Sequence, residues 1–299
     1  MNLVISDNFK LFNKKEANNI LIGSWCLLDK EIKKNFDKNK EKIATYHWDD
    51  KNKMSKDIVN IEKIYKYFLN QISKTLNDFH KTDYNLKLWE ILIGRWLKKY
   101  ITFLFDRWEQ MSYVSKNFKI DKVKLVEFEE EGFVTSDMTN FQVMISKKNW
   151  NHWIFGKIVE SEKKFNFVYV DQADKWKNKD LIAKEEKNFF LNLFNKFFSK
   201  FIYKQNLVIA SVYLPKLYKL KLSIKYNKFI AKLNFDKKYE KNVNIELRKE
   251  VFKNIKGFDS FTNFASSMIY LNIPCSYFEN FKILNTQVEN SILPKKPKM

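Results

Sequence analysis

The residues best suited to chemistry lie in two short runs within the first 50 positions. These runs are Gly23, Ser24, Trp25 and Cys26, and then His47, Trp48, Asp49 and Asp50. Histidine and aspartate can take a proton from a hydroxyl group, and an indole ring can stack against a sugar. The two runs therefore indicate acid–base chemistry on a hydroxylated substrate. No phosphate-binding glycine loop, HExxH motif or GxSxG motif occurs in the sequence.

We predict that His47 and Asp49 are catalytic, because either could activate or orient an acceptor hydroxyl. The predicted substrate-binding residues are Gly23, Ser24, Trp25, Trp48, Asp50 and Arg107. Structural alternatives exist, namely a hydrogen-bonded histidine, an aspartate that caps a helix and an indole packed in the core. Cys26 has no clear histidine partner in sequence, so we do not expect it to act as a nucleophile.

Both runs end segments that are typical of short strands, of which the first reads as buried. An apolar segment begins at Asn19 and meets a turn at Gly23, and a second short strand is expected from Lys42 to Tyr46. In open α/β sheets, ligands bind beyond the carboxyl ends of the strands. The sheet would therefore place the two runs at one site.

The clearest amphipathic pattern runs from Tyr84 to Met111 and predicts a long helix that anchors the core. Arg107 falls near the middle of its apolar arc, and Asp106 falls on the opposite, polar side. A buried guanidinium without a partner would cost several kcal/mol. We expect Arg107 to neutralise Asp50 or a substrate phosphate, with a structural ion pair as the alternative.

The alternation of strands and helices in the first half favours an α/β fold. The other expected elements are a helix from Met54 to Phe79, a strand from Lys122 to Phe128, a helix capped by Ser136 or Thr139 that reaches Ile154, a strand from Phe165 to Val170, a helix from Leu181 to Tyr203, a β-hairpin from Tyr218 to Phe235, and helices from Gly257 to Leu271 and from Ser276 to Val288. The hairpin lysines could meet phosphate headgroups or a lipid-linked pyrophosphate. His152 is expected to be a packed surface histidine.

Composition limits the class of protein. The chain has 299 residues, is 45% hydrophobic and carries a formal charge of +20. Lysine supplies 52 of the 55 basic residues and arginine only three, which argues against nucleic-acid binding because base and phosphate recognition favours arginine. Two isolated cysteines, no signal peptide and no apolar membrane span favour the cytoplasm, with peripheral contact at an anionic membrane as a further expectation.

Several segments together resemble one protein family. They are GSWC at 23–26, YHWDD at 46–50, LWEILIGRWLKKYITFLFDRWE at 88–109, SDMTNFQVMISKKNWNHW at 136–153, and IPCSYFENF at 273–281 followed by LPKKPKM. The chain resembles the amino-terminal half of a transferase family from bacterial O-antigen and other surface-polysaccharide loci. The similarity extends over nearly the whole chain.

The resemblance implies a two-lobed, GT-B-like glycosyltransferase with Rossmann-like halves. Residues 1–290 would form the acceptor-side lobe, with the hairpin inserted near 216–236, and residues 291–299 would lead into a second lobe that this sequence lacks. That lobe would bind a nucleotide-sugar donor, and the acceptor would be a glycan or a lipid-linked sugar. No covalent cofactor is implied, and a requirement for metal stays open. Two rivals are a non-catalytic lobe that binds a partner and a basic nucleic-acid-binding protein.

Overall fold

The computed structural model describes residues 1–8, 11–12, 18–170 and 243–282, with short pieces at 209–210, 218, 221 and 230–231. The chain divides into two compact units, of which one comprises residues 1–181 and 239–299 and the other residues 182–238. No helix among the described residues combines the length and apolar character needed to cross a membrane. The larger unit contains all the predicted site residues.

A parallel sheet forms the centre of the larger unit. Its strands are β1 Asn2–Val4, β2 Asn19–Leu21, β3 Lys42–Ile43, β4 Lys122–Leu125 and β5 Phe167–Tyr169. The five strands lie in the order β3-β2-β1-β4-β5, and Asn2 is opposite both Asn19 and Lys122. This is the order of the first five strands of a doubly wound Rossmann fold, and the α/β prediction is confirmed.

The central strand β1 was not predicted. Asn19 was expected to open the sheet, whereas Leu3 and Val4 already lie in its buried middle. Three residues are too few to show a periodic pattern. The order of strands changes direction between β1 and β4, which is where α/β sheets bind their ligands.

Two long helices pack against each other beside the sheet. These two are α2 Lys51–His80 and α3 Leu86–Asn117. The other helices of the described residues are α1 Lys30–Asn35, α4 Met138–Met144, α5 Lys148–Ser161, α6 Ile245–Phe252 and α7 Ser260–Asn272. α2 and α3 confirm the two longest predicted helices, and the indoles of Trp89 and Trp96 are fully buried as the α3 pattern requires. Asn85 caps α3 by accepting from the Leu88 N–H.

The helix predicted from residue 136 to Ile154 is two helices, α4 and α5. Asp137 caps α4 by accepting from the Asn140 N–H at 2.9 Å, so the prediction of Ser136 or Thr139 as the cap was wrong. Both helices bury apolar residues, which is why one continuous pattern suggested one helix. After Pro274, Cys275–Tyr277 form a 3-10 turn where a helix was expected to begin.

Several predictions fall outside the described residues. They are the helix from Leu181 to Tyr203, nearly all of the hairpin from Tyr218 to Phe235, the end of the last helix, and the linker at 291–299. In the smaller unit, β6 Ile209–Ala210 pairs in parallel with β7 Ile230–Ala231. The described part of the predicted hairpin therefore pairs with an earlier strand. The boundaries at 216–236 and 290 stay predictions.

Candidate active site

Gln110 of α3 holds the ends of β2 and β3 together. Its Nε2 donates to the Ile22 carbonyl at 2.7 Å and to the Thr45 carbonyl at 3.1 Å. Its Oε1 accepts from the His47 N–H at 3.0 Å. One buried amide thus places the Gly23 run beside the His47 run, as the sheet-edge argument predicted. Gln110 itself carried no signal in the sequence, because its partners lie far away along the chain.

Asp106 is the acceptor at the centre of the site. Its carboxylate is 6% exposed and accepts from the Tyr46 hydroxyl at 2.6 Å and from His47 Nε2 at 3.0 Å. Arg107 Nη1 donates to its other oxygen. The sequence placed Asp106 on the polar face of α3, and Lys98 on that face is indeed exposed, but Asp106 itself meets the strand ends and is buried. A buried carboxylate with three donors is held as an anion.

His47 is enclosed within this network. Its side chain is 0% exposed, and burial lowers its pKa to about 4, so the ring is neutral at pH 7. Nε2–H donates to Asp106, and Nδ1 lies 3.9 Å from Asp57 Oδ2 with no hydrogen bond to any described residue. The ring therefore positions Asp106 and does not reach solvent. Its catalytic role stays a prediction.

Arg107 lies at the edge of the network with 19% of its side chain exposed. Its Nε and Nη2 donate to Asn151 Oδ1 at 3.0 and 2.7 Å, and the guanidinium lies 5.2 Å from the Phe103 ring centre. Burial lowers its pKa to about 10, which leaves the group cationic at neutral pH. Its carboxylate partner is Asp106, where Asp50 was expected. Two of its five N–H groups have no acceptor among the described residues.

The two aspartates after Trp48 take different positions. Asp50 is exposed and caps α2 by accepting from the N–H groups of Asn52 and Lys53 at 2.9 and 3.1 Å. This is the structural alternative that its sequence position allowed. Asp49 is exposed at the end of the 3-10 turn His47–Asp49 and does not cap α2. Its carboxylate is therefore open to a ligand.

Aromatic rings line the solvent side of the site. Trp25 packs on the backbone of Gly23, where an added Cβ would lie 2.2 Å from its ring, and it meets Tyr46 edge-on at 6.2 Å. Trp48 meets Tyr46 at 6.1 Å and donates its indole N–H to Asp57 at 3.0 Å. Ser24 is exposed beside them.

Tyr46 was predicted to line the cleft together with the residues up to Asp50, but no catalytic or binding role was assigned to it. Its hydroxyl donates to Asp106, and its ring stands between Trp25 and Trp48. Burial, and then the charge of Asp49, raise its pKa, while Arg107 lowers it. Tyr46 is therefore a neutral hydrogen-bonding group near pH 7. Its place at the end of the strand predicted from Lys42 to Tyr46, directly before His47, was the available signal.

His152 lies at the change of strand order between β1 and β4. It is 1% exposed, so the expectation of a surface histidine was wrong. Its Nε2 accepts from the Val126 N–H at 3.1 Å, which leaves the proton on Nδ1 to donate to Ser6 Oγ at 3.0 Å. Burial lowers its pKa to about 3. This tautomer cannot take a proton from Ser6, which excludes a serine–histidine nucleophile.

Two other chemistries receive no support. The Cys26 thiol donates to the Val4 carbonyl at 3.6 Å, and burial raises its pKa to about 12, so it does not form a thiolate at neutral pH. In the described part of the chain, no group of three or more histidine, cysteine, aspartate or glutamate side chains could hold a metal ion. The site consists of a buried carboxylate, a half-buried arginine, half-buried aromatic rings and exposed acidic groups.

The comparison with protein families places the chain in a family. A model described as LIC12162 family transferase matches residues 1–299. The chain belongs to the LIC12162 family of transferases. No curated protein and no solved structure matches the sequence significantly. The polar network at the ends of β2 and β3 is therefore the candidate active site of a LIC12162 family transferase.

Proposed function

We propose that this LIC12162 family transferase is the acceptor-side lobe of a sugar transferase that acts in bacterial surface-polysaccharide assembly. The donor would be a nucleotide sugar bound by a second lobe, and the acceptor a glycan or a lipid-linked sugar. The parallel sheet in Rossmann strand order supports a lobe of this kind. The similarity of GSWC, YHWDD and the long α3 segment to surface-polysaccharide transferases supports the sugar chemistry.

The observation that carries the proposal is the state of Arg107. Asp106 and Asn151 fix its guanidinium at the carboxyl edge of the sheet while two N–H groups stay unused by described residues. A planar guanidinium with two free N–H groups suits the oxygen atoms of a phosphate. We assign it to the phosphate of a lipid-linked acceptor. Asn151 is neutral, so only one carboxylate offsets the charge of Arg107.

The remaining residues take roles that follow from their exposure. Asp49 is exposed and would accept the proton of the acceptor hydroxyl, since His47 is enclosed and hydrogen-bonded to Asp106. His47 would act through Asp106 by holding it against Arg107. Trp25 and Trp48 would pack against the acceptor sugar. Peripheral contact with an anionic membrane would bring the lipid-linked acceptor to this edge.

Binding of a short isoprenyl pyrophosphate, with inorganic pyrophosphate as a second probe, tests the assignment of Arg107. Loss of charge-assisted hydrogen bonds worth about 1.5–3 kcal/mol predicts that Arg107→Gln weakens binding roughly 10- to 100-fold. Arg107→Lys keeps the charge without the planar fork and should give an intermediate loss. Arg95→Gln is the matched control, because Arg95 is exposed on the same helix. Calorimetric titration measures all four proteins.

Equal affinity of the native protein and Arg107→Gln would remove the phosphate assignment. Transfer itself is tested with the whole product of the coding frame, a panel of nucleotide sugars and a lipid pyrophosphate-linked sugar, with mass spectrometry of the products. Intact mass of the native polypeptide establishes which form to assay. Absence of transfer with every donor, together with acceptor binding, would favour the rival role of a non-catalytic binding lobe.

A further inference from the structure

A cavity lies beside the candidate active site, at the carboxyl ends of β4 and β5. Its volume is about 230 Å³, and one side of it is formed by α5. Phe128, Trp153, Gly156, Lys157, Glu160 and Tyr169 are among the residues that line it. None of these residues belongs to the Asp106 network. The cavity is next to the change of strand order between β1 and β4, where α/β sheets bind ligands.

The charged groups of the cavity exclude an anionic ligand. Lys157 Nζ lies 2.8 Å from Glu130 Oε1 and 3.0 Å from Glu160 Oε2, and the Tyr169 hydroxyl donates to the other oxygen of Glu160. Glu127 adds a third, exposed carboxylate. Three carboxylates thus face one ammonium group. A phosphate or carboxylate would be repelled, whereas hydroxyl groups could donate to the carboxylates and accept from Lys157.

An apolar wall faces these polar groups. The indole of Trp153 is 4% exposed and stacks on Phe133 at 4.4 Å, and the ring of Phe128 lies beside it. Trp153 Nε1 has no hydrogen-bond acceptor among the described residues. An indole N–H is a donor only, so an oxygen atom that reached it would satisfy it. The cavity therefore combines an aromatic wall, carboxylate acceptors and the Lys157 ammonium group as a donor.

We propose that this cavity binds one neutral sugar ring. A pyranose presents hydroxyl groups along its edge and C–H groups on its faces, which match the carboxylates and the aromatic wall. The cavity has the volume of about eight water molecules in the liquid, which suits one ring and not a disaccharide. The inference rests on the proposed function in one respect, since the ring would belong to the glycan acceptor of the transferase.

Titration of the full chain with free monosaccharides tests the proposal. Glucose, galactose and N-acetylglucosamine are the neutral probes, and glucosamine and glucose 6-phosphate report on charge. Saturation-transfer NMR should show millimolar binding of at least one neutral sugar. Glucose 6-phosphate should bind at least fivefold more weakly than glucose, because its phosphate meets the carboxylates.

Two variants locate the binding in this cavity. Gly156→Ala adds a methyl group to the wall, where its Cβ would lie 3.7 Å from Leu125 Cδ2, an ordinary contact, so the variant should fold. Alanine also favours the helix, so a fall in affinity with an unchanged or higher melting temperature cannot come from unfolding. We expect at least threefold weaker sugar binding. Glu160→Gln removes one charged acceptor and should weaken binding at least fivefold.

Glu90→Gln is the matched control for Glu160→Gln. Glu90 pairs with Lys87 at the same three-residue spacing as Lys157 and Glu160, but on the exposed surface of α3. The affinity of the Glu90→Gln variant for sugar should equal that of the native protein. Failure of every neutral sugar to bind, unchanged affinity in Gly156→Ala, or weaker binding of cationic glucosamine than of glucose would each overturn the proposal, because three carboxylates face one ammonium group in this cavity.

The test also separates this inference from the proposed function. Arg107→Gln should leave monosaccharide affinity unchanged, because Arg107 does not line the cavity. Sugar binding without any transfer by the whole coding-frame product would preserve the sugar site and refute the transferase assignment. Transfer without monosaccharide binding would refute the sugar site alone.

Discussion

Replacing Asp106 by alanine should remove the acceptor shared by three donors and lower the stability of the whole unit. Tyr46 would lose a hydrogen bond of 2.6 Å, His47 would lose one of 3.0 Å, and Arg107 would lose its carboxylate partner. A neutral hydrogen bond contributes about 1 kcal/mol and one to a charged group about 1.5–3 kcal/mol. All three bonds end on the charged carboxylate, so the sum is at least about 4.5 kcal/mol, near the upper end of the range for breaking a buried ion pair.

Asp106→Asn should cost about half as much. The amide oxygen can still accept from Arg107, while its N–H groups can donate to the Tyr46 oxygen and to His47 Nε2. The second bond requires the His47 proton to move to Nδ1, which is possible because Nδ1 has no hydrogen bond to a described residue and lies 3.9 Å from Asp57. Only the charge of the acceptor is then lost, at about 2 kcal/mol.

Urea unfolding at pH 7, followed by circular dichroism, measures both variants against the native protein. Equal slopes of the free energy of unfolding against urea concentration would establish that the variants and the native protein unfold by the same transition. Asp121→Ala is the control, since the Asp121 side chain is 66% exposed and pairs only with the amino terminus among described residues, and its midpoint should not change. A loss below about 1 kcal/mol for Asp106→Ala, or a larger loss for Asn than for Ala, would refute the network.

Three further predictions concern pH, an ion pair and a cap. In the folded protein the pKa values of His47 and His152 fall to about 4 and about 3, below the unfolded value of 6.5, so the free energy of unfolding is highest above pH 6.5 and declines toward pH 4. The expected slope is about 3 kcal/mol per pH unit. Urea midpoints at pH 5 and pH 7 check it, and equal midpoints would contradict it. Glu279→Gln should lower the free energy of unfolding by about 3 kcal/mol, because it breaks a bidentate pair of 2.6 Å hydrogen bonds with the buried Arg248. Calorimetry measures this loss, and an unchanged stability would show that the pair is not formed. Asp50→Ala should cost about 1 kcal/mol through loss of the α2 cap, and a large fall in activity at unchanged stability would instead indicate substrate contact.

The long helices and the strand ends could be predicted because their signals are local. Apolar residues repeat at three- and four-residue steps through α2 and α3. The Gly23 run closely follows the buried strand β2, and the His47 run comes four residues after β3. That local pattern correctly placed both runs at one edge of a parallel sheet. It also gave the alternative role of Asp50, since an aspartate before a helix is a frequent cap.

The missing elements had no signal of that kind. Strand β1 is three residues long and shows no period, yet it occupies the centre of the sheet. The split between α4 and α5 was hidden because both helices bury the same types of residue. His152 looked like a surface residue because sequence spacing does not show that the ends of β1 and β4 enclose it.

The sequence by itself determined the α/β class, the long amphipathic helices, the strands that bear the site and the resemblance to a transferase family. The tertiary structure alone decided which groups meet. Tyr46 and Asp106 are 60 residues apart, and Arg107 and Asn151 are 44 apart, yet they share one network. Helical periodicity assigns a residue to a face but cannot say what covers that face. Asp106, Arg107 and His47 therefore obtained their partners, their burial and their charge states only from packing against the strand ends.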